Sequence, residues 1–163
     1  MITVEVRGLT AVRDRFQAMW TRGQDLSPAW EEFLTWWALG NKEQFASRGA
    51  RWRTPWKPLA PRTVRDKRTQ GWLADPMVRT TRLRGELARR PLGVEHVTAG
   101  AVTAGTDLDY AIYHQRGAPR AHLPQRKLID ADAVAREGAA GSVVATWIVN
   151  GVPDISGALR LEG

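Results

Sequence analysis

Ser27-Pro28-Ala29-Trp30-Glu31-Glu32-Phe33-Leu34-Thr35-Trp36-Trp37-Ala38-Leu39-Gly40-Asn41-Lys42-Glu43-Gln44-Phe45 reads as one long helix. Ser27 can cap its start, and Pro28 suits the first helical position, where a missing N–H costs nothing. Glu31 and Glu32 lie near the positive end of the helix dipole. Trp30, Phe33, Leu34, Trp37, Asn41 and Phe45 then recur on one face, and Gly40 interrupts the pattern without ending it. The helix is expected to stop near Gly49. Trp30, Phe33 and Trp37 are read as core residues.

Upstream, Ile2, Val4 and Val6 alternate with polar residues as in a half-buried strand, and Gly8 breaks the pattern. Leu9, Val12, Phe16, Met19 and Trp20 follow at helical spacing, with Gly23 as a stop. Downstream, residues 50–62 hold three prolines, two tryptophans and several basic side chains, the composition of an extended connector. Pro61 opens a short basic helix that Gly71 ends. A second short helix is expected across Leu83 and Leu87, closed by Pro91. From Leu92 the period switches to two, and Thr98-Ala99-Gly100 turns the chain into Ala101–Thr106, so residues 92–106 read as a hairpin. Asp107 or Asp109 can cap a short helix running to Gly117, and residues 118–124 form a loop. Asp130 or Asp132 can cap a last helix. The run Val143–Val149 is compatible with that helix or with a strand. The fold expected is α+β: N-terminal helices packed on a small, mainly antiparallel sheet, with an extended basic arm at about 48–90.

The chain has 163 residues, 43% apolar and 25% charged, which suits one globular domain spanning 1–163. It has no cysteine, which excludes disulfides, thiolate metal sites and cysteine nucleophiles. The start lacks the layout of a signal peptide, and no apolar run reaches the ~18 residues of a membrane span. A soluble protein made in a reducing cytoplasm, with no membrane partner, is expected. The net charge of +7 is unevenly placed: residues 48–90 carry 13 basic and three acidic side chains, a net of +10. Such a block suits a nucleic-acid footprint, a flexible arm, or a face that meets an acidic partner.

Residues for catalysis are few. His96, His114 and His122 are the only histidines, and no pair has the four-residue spacing of a helical zinc site. Ser27, Ser47, Ser142 and Ser156 lie in no nucleophile elbow. Gly100 and Gly105 border a hairpin, not a phosphate loop. Asp107 and Asp109 look like caps. No catalytic residue, metal or cofactor is assigned, and a hydrolase is a distant third reading. Basic residues interleaved with aromatics, as in Arg51-Trp52-Arg53 and Trp56-Lys57, can neutralise phosphates and stack bases. The same composition marks protein interfaces, and no known nucleic-acid-binding motif accompanies it.

Four elements, in order, resemble a known family. They are Trp56-Lys57-Pro58-Leu59; Met77-Val78-Arg79-Thr80-Thr81-Arg82-Leu83-Arg84-Gly85-Glu86-Leu87; Asp109-Tyr110-Ala111-Ile112-Tyr113-His114-Gln115-Arg116-Gly117; and Leu123-Pro124-Gln125-Arg126-Lys127-Leu128-Ile129. The third is similar to a "Tyr-Ala-x-x-His-Gln-x-Gly" element and the fourth to "Ile-Pro-x-Arg-x-Phe-Leu". Thr81 stands where the second usually has glycine. Together they resemble the phage virion morphogenesis, or tail completion, family. The resemblance implies a non-enzymatic virion component at the head-proximal end of a tail. It would work as a ring of six copies that meets the tail tube protein and the head-tail connector.

On that reading Tyr110, His114, Gln115, Gly117, Pro124 and Arg126 are mainly structural, with Tyr110, His114 and Gln115 on one side of a short helix and bonding towards the Pro124–Arg126 loop. Trp52 and Trp56, with Arg51, Arg53, Lys57, Arg62, Arg65 and Arg82, are the interface candidates. Their segment is expected to be mobile in the monomer and to lie on a neighbour in the ring. The alternative is a nucleic-acid-binding protein using residues 48–90. An intermediate arrangement has arginines lining a channel that passes the genome without sequence-specific contact.

Overall fold

The structure is a computed structural model and describes residues 8–154. The strand expected at Ile2–Val6 lies outside the described residues. The fold is α+β: seven α-helices and one antiparallel hairpin among the described residues. None of these helices is long and apolar enough to cross a membrane.

The helix read from the long stretch is α2, Ser27–Ala46, preceded by α1, Leu9–Gly23. Pro28 stands in its first turn. Ser27 does not cap it; instead Asp25 Oδ1 accepts the Ser27 N–H at 2.9 Å. The helix buries far more than one stripe, including Trp36, Trp37, Gly40, Asn41 and Gln44, because elements pack on it from several sides. Its main partners are α4, Arg82–Ala88, and α7, Ala139–Asn150. The hairpin pairs β1, Val94–Val97, with β2, Val102–Gly105, in the register Val94 to Gly105. It packs Val97, Val102 and Ala104 towards α2, and the Leu26 N–H donates to the Ala99 carbonyl in its turn at 2.9 Å.

The other expected elements form as α3, Pro61–Thr69, α5, Ala111–Arg116, and α6, Ala131–Glu137. Asp130 caps α6 by accepting the N–H groups of Asp132 and Ala133. Neither Asp107 nor Asp109 caps α5, which starts from Tyr110 with no side-chain cap. The ambiguous run 143–149 is helical in α7. Val143 is fully buried there against α2, and Thr146 turns its hydroxyl onto the Ser142 and Val143 carbonyls.

Two apolar clusters share α2. One gathers Phe33, Leu34, Trp36, Trp37, Trp52 and Val143; the other gathers Phe45, Trp56, Leu83, Leu87 and Leu128. Ile129 packs on both. Trp52 and Trp56 are therefore not held ready for a neighbour. Trp52 is 1% exposed and lies 5.9 Å from Trp36, and Trp56 is 6% exposed, edge-on to Phe45 at 5.4 Å.

The extended segment can bury them because it folds back in turns that satisfy its backbone. The Trp56 N–H donates to the Arg48 carbonyl at 2.7 Å, Thr54 to Gly49 at 3.0 Å, and Trp52 to the Gln44 side chain at 3.0 Å. Two glycines make room. A Cβ on Gly40 would come within 3.0 Å of the Trp52 ring, and one on Gly49 (φ +95°) within 2.4 Å of the Thr54 carbonyl oxygen.

Trp52→Ala is expected to destabilise the isolated chain by about 3–5 kcal/mol, the usual cost of emptying an aromatic site in a core. Urea unfolding measures it. An unchanged midpoint would mean that Trp52 is dispensable to the monomer and free for a partner.

Candidate functional site

Three of the four elements resembling the family meet at one knot. Gln115, on α5, uses its whole amide. Its Oε1 accepts the N–H groups of Leu128 at 2.8 Å and Ile129 at 3.1 Å, and its Nε2 donates to the Ile129 carbonyl at 2.6 Å. The Arg126 N–H donates to the His114 carbonyl at 2.9 Å, and Gln125 Nε2 donates to the Gln115 carbonyl. From the first element, the Trp56 indole donates to the Lys127 carbonyl at 2.7 Å. Arg126 reaches back with Nε on the Lys57 carbonyl, 3.0 Å, and Nη2 near that of Pro58, 3.4 Å. Gly117 has φ +78°, and a Cβ there would stand 2.9 Å from the Gln125 nitrogen, so the turn requires glycine. Pro124 is half-buried in the loop that follows. Tyr110 is exposed, with its ring edge-on to His114 at 6.3 Å.

The second element supplies α4, whose Leu83 and Leu87 fill the cluster containing Trp56. Thr81 precedes α4 with φ +61°, the left-handed conformation that glycine adopts most cheaply. The departure from the family element therefore falls on a position whose backbone suits glycine.

Of the basic interface candidates, Arg51 is committed inside the monomer. It pairs with Glu137 at 2.5 Å and Glu43 at 2.9 Å, and lies over the Trp52 ring at 4.5 Å. Arg82 pairs with Glu86 at 3.0 Å one helical turn on, and Arg62 stands 4.0 Å from Asp66. Arg53, Lys57, Arg62, Arg65 and Arg82 are all exposed, and α3, which carries Arg62 and Arg65, has no buried residue. The burial of Trp52 and Trp56 thus separates them from the exposed Arg53 and Lys57 beside them in sequence, while Arg51 stays on the Trp52 ring. The structure does not bring the eight interface candidates into one patch.

A different apolar surface is open. Helix α1 has no buried residue; Phe16 is 66% and Trp20 69% exposed, with Leu9 and Val12 continuing the same face. The helix is fastened at its C-terminal end. Arg22 Nη1 donates to the carbonyls of Ile148 at 2.6 Å and Val149 at 2.9 Å, and the Trp147 indole donates to the Asp25 carbonyl at 2.8 Å. The periodicity announces this stripe, but no local signal tells whether such a stripe faces its own core or outward.

Burial, helped by the nearby Arg126 charge, lowers the His114 pKa below the ordinary histidine value, and its Nδ1 is buried without a hydrogen-bond partner. Arg126 is 5% exposed and is lowered by burial as well. His114 is thus built in as a neutral ring.

Comparisons with family models, curated proteins and solved structures return no match for the chain.

Two outcomes follow. The folded chain resists protonation of His114, so its stability is full above the ordinary histidine pKa and falls as pH drops below it. A His114→Gln variant is expected to lose less melting temperature than wild type between pH 7 and pH 5.5, as scanning calorimetry reads it; equal losses would place the pH dependence elsewhere. Thr81→Gly is expected to raise stability by about 0.5–1 kcal/mol, the left-handed strain removed outweighing the added chain entropy. Urea titration would show the opposite sign if another contact of Thr81 dominates.

Proposed function

We propose that this chain is a non-enzymatic structural component of a phage virion, made in the host cytoplasm, that completes the head-proximal end of a tail and helps join it to the head. The observation that carries the reading is the knot. Tyr110–Gly117 and Leu123–Ile129, neighbours along the chain, and the distant Trp56–Leu59 all resemble elements of the tail completion family and are hydrogen-bonded into one unit. Such joining supports their being one inherited assembly rather than separate chance likenesses.

In this reading the protein works by oligomerising, as a ring of six copies between tail tube and connector, and needs no cofactor. The surface for docking is the α1 stripe in place of Trp52 and Trp56. Burying a phenylalanine or tryptophan contributes on the order of 2–3 kcal/mol, so four large apolar side chains left on one helix favour association. A ring uses heterologous contacts, one patch against a different patch on the next copy, which suits an apolar helix offered from one end of the molecule. The exposed cations of α3 would steer docking or face the genome in the channel.

The second reading, nucleic-acid binding through residues 48–90, is favoured by the exposed face of α3. It predicts DNA affinity in the isolated monomer that falls steeply with salt, since each neutralised phosphate releases counterions.

Light scattering tests the first reading. Wild type, alone or mixed with tail tubes, is expected to give a ring of six copies. Replacing both Phe16 and Trp20 by serine is expected to leave a folded monomer, with melting temperature within about 2 °C of wild type, that neither closes rings nor completes tails. A double variant that assembles at normal yield would remove α1 from the interface. A wild type that stays monomeric with tail tubes present would remove the function.

A further inference from the structure

Beside the knot, and away from the α1 stripe, a cavity of about 570 Å³ opens between α3, the 72–83 segment and the start of α5. Its volume lies in the range of small-molecule sites. Four cationic side chains line it, Lys67, Arg79, Arg82 and Arg126, and its lining includes no aspartate or glutamate. Arg82 is balanced by Glu86. The other three have no carboxylate partner among the described residues. Arg126 is 5% exposed, and among the described residues its guanidinium bonds only the Lys57 and Pro58 carbonyls. Lys67 Nζ donates to the carbonyls of Asp75 and Val78, each at 2.7 Å, while the Asp75 carboxylate is taken by Arg48 at 2.7 Å. Arg79 is exposed and stacked at 3.8 Å over the Trp72 ring.

These cations feel one another. Burial lowers the Lys67 pKa, Asp75 offsets part of this, and Arg79 and Arg126 push it further down. Three positive charges without an ion-pair partner line one cavity, only Lys67 being partly offset by Asp75 and Arg126 being buried, and together they favour an anion there. The remaining wall mixes apolar and aromatic side chains, among them Leu59, Met77, Leu83 and Tyr110, with the threonines at 63, 80 and 81 and His114, so it suits an occupant whose planar or apolar body also carries hydrogen-bonding edges.

We propose that this cavity is a binding site for a phosphate monoester on a planar body, a ligand of mononucleotide size, with its phosphate among Lys67, Arg79 and Arg126. Charge decides for phosphate over carboxylate: a phosphate monoester carries about −1.5 to −2 at neutral pH against −1, and it offers three acceptor oxygens to donors arriving from three segments. The inference rests on the cavity alone and stands whether or not the chain assembles on tails.

Calorimetric titration of the full chain with AMP tests it, with adenosine and inorganic phosphate as the two halves of the probe. AMP is expected to bind saturably, at least tenfold tighter than either half, and to shift the Trp72 indole signal in a nitrogen–proton NMR spectrum. Arg79→Glu, at an exposed position that keeps the fold, is expected to weaken AMP at least tenfold. Arg126→Lys is expected to do the same wherever it folds. A short oligothymidylate is the second arm: binding it more tightly than AMP, with the same dependence on Arg79, identifies the source of the phosphate as a strand. Failure of both AMP and oligonucleotide to saturate at millimolar concentration would overturn the proposal. So would affinities that stay within twofold in the Arg79→Glu protein.

Discussion

A single buried amide holds the two halves of this molecule in register. Gln44 is fully buried near the end of α2; its Oε1 accepts the Trp52 N–H and its Nε2 donates to the Lys127 carbonyl. The return of the chain after α2 and the loop before α6 are thereby fixed against one helix. A buried amide that loses its partners costs more than the bonds contribute when made, so the three segments must arrive together. Gly40 and Gly49 serve the same junction by leaving space for the rings of Trp52 and Trp56. Each tryptophan then seeds a different apolar cluster, with α2 common to both.

The concentration of positive charge in the middle of the chain looks different once its partners are known. Arg48 pairs with Asp75, Arg51 with Glu137 and Glu43, and Arg90 with Glu31 and Glu95. The carboxylates at 31, 43, 95 and 137 come from the nearly neutral flanks, so part of the basic block is the inner half of ion pairs that cross the fold. Arg90 lowers the Glu95 pKa by bonding it, against the opposing effect of burial. The exposed Arg48–Asp75 pair adds little stability, whereas the part-buried pairs of Arg51 with Glu137 and Arg90 with Glu95 orient the connector on the body. What is left to meet a partner is a smaller set, on α3 and around the cavity.

Much of the fold was legible because its signals are local. The spacing of Trp30, Phe33, Leu34 and Trp37 located α2, Asp130 capped α6 as its position suggested, and the switch to period two at Leu92 located the hairpin. Residues 143–149 were not legible: β-branched side chains there favour strand locally, and only burial of Val143 against α2 makes them helical. The burial of Trp52 and Trp56 was hidden for a like reason. The groups that accept their segment lie in other elements, Gln44 on α2 and the distant Lys127 carbonyl, and prolines suggest an exposed arm when read alone. In the knot, the approach of α5 to the Pro124–Arg126 loop was visible from the motif. Gln115 was among the residues expected to bond there, but its partners, Leu128 and Ile129, lie beyond that loop, and no spacing relates Lys67 and Arg79 to Arg126.

Helix α1 is pinned at one end, by Arg22 and the α1–α2 turn against the end of α7, and has no fully buried residue along its length. Its hydrogen bonds therefore belong to a separate, weaker cooperative unit than those of α2. Amide exchange in α1 should proceed by local opening while the tryptophan clusters stay closed. Because Arg22 and Asp25 tie the C-terminal end of α1 to α7, such opening starts from the N-terminal turns of the helix and leaves both clusters undisturbed.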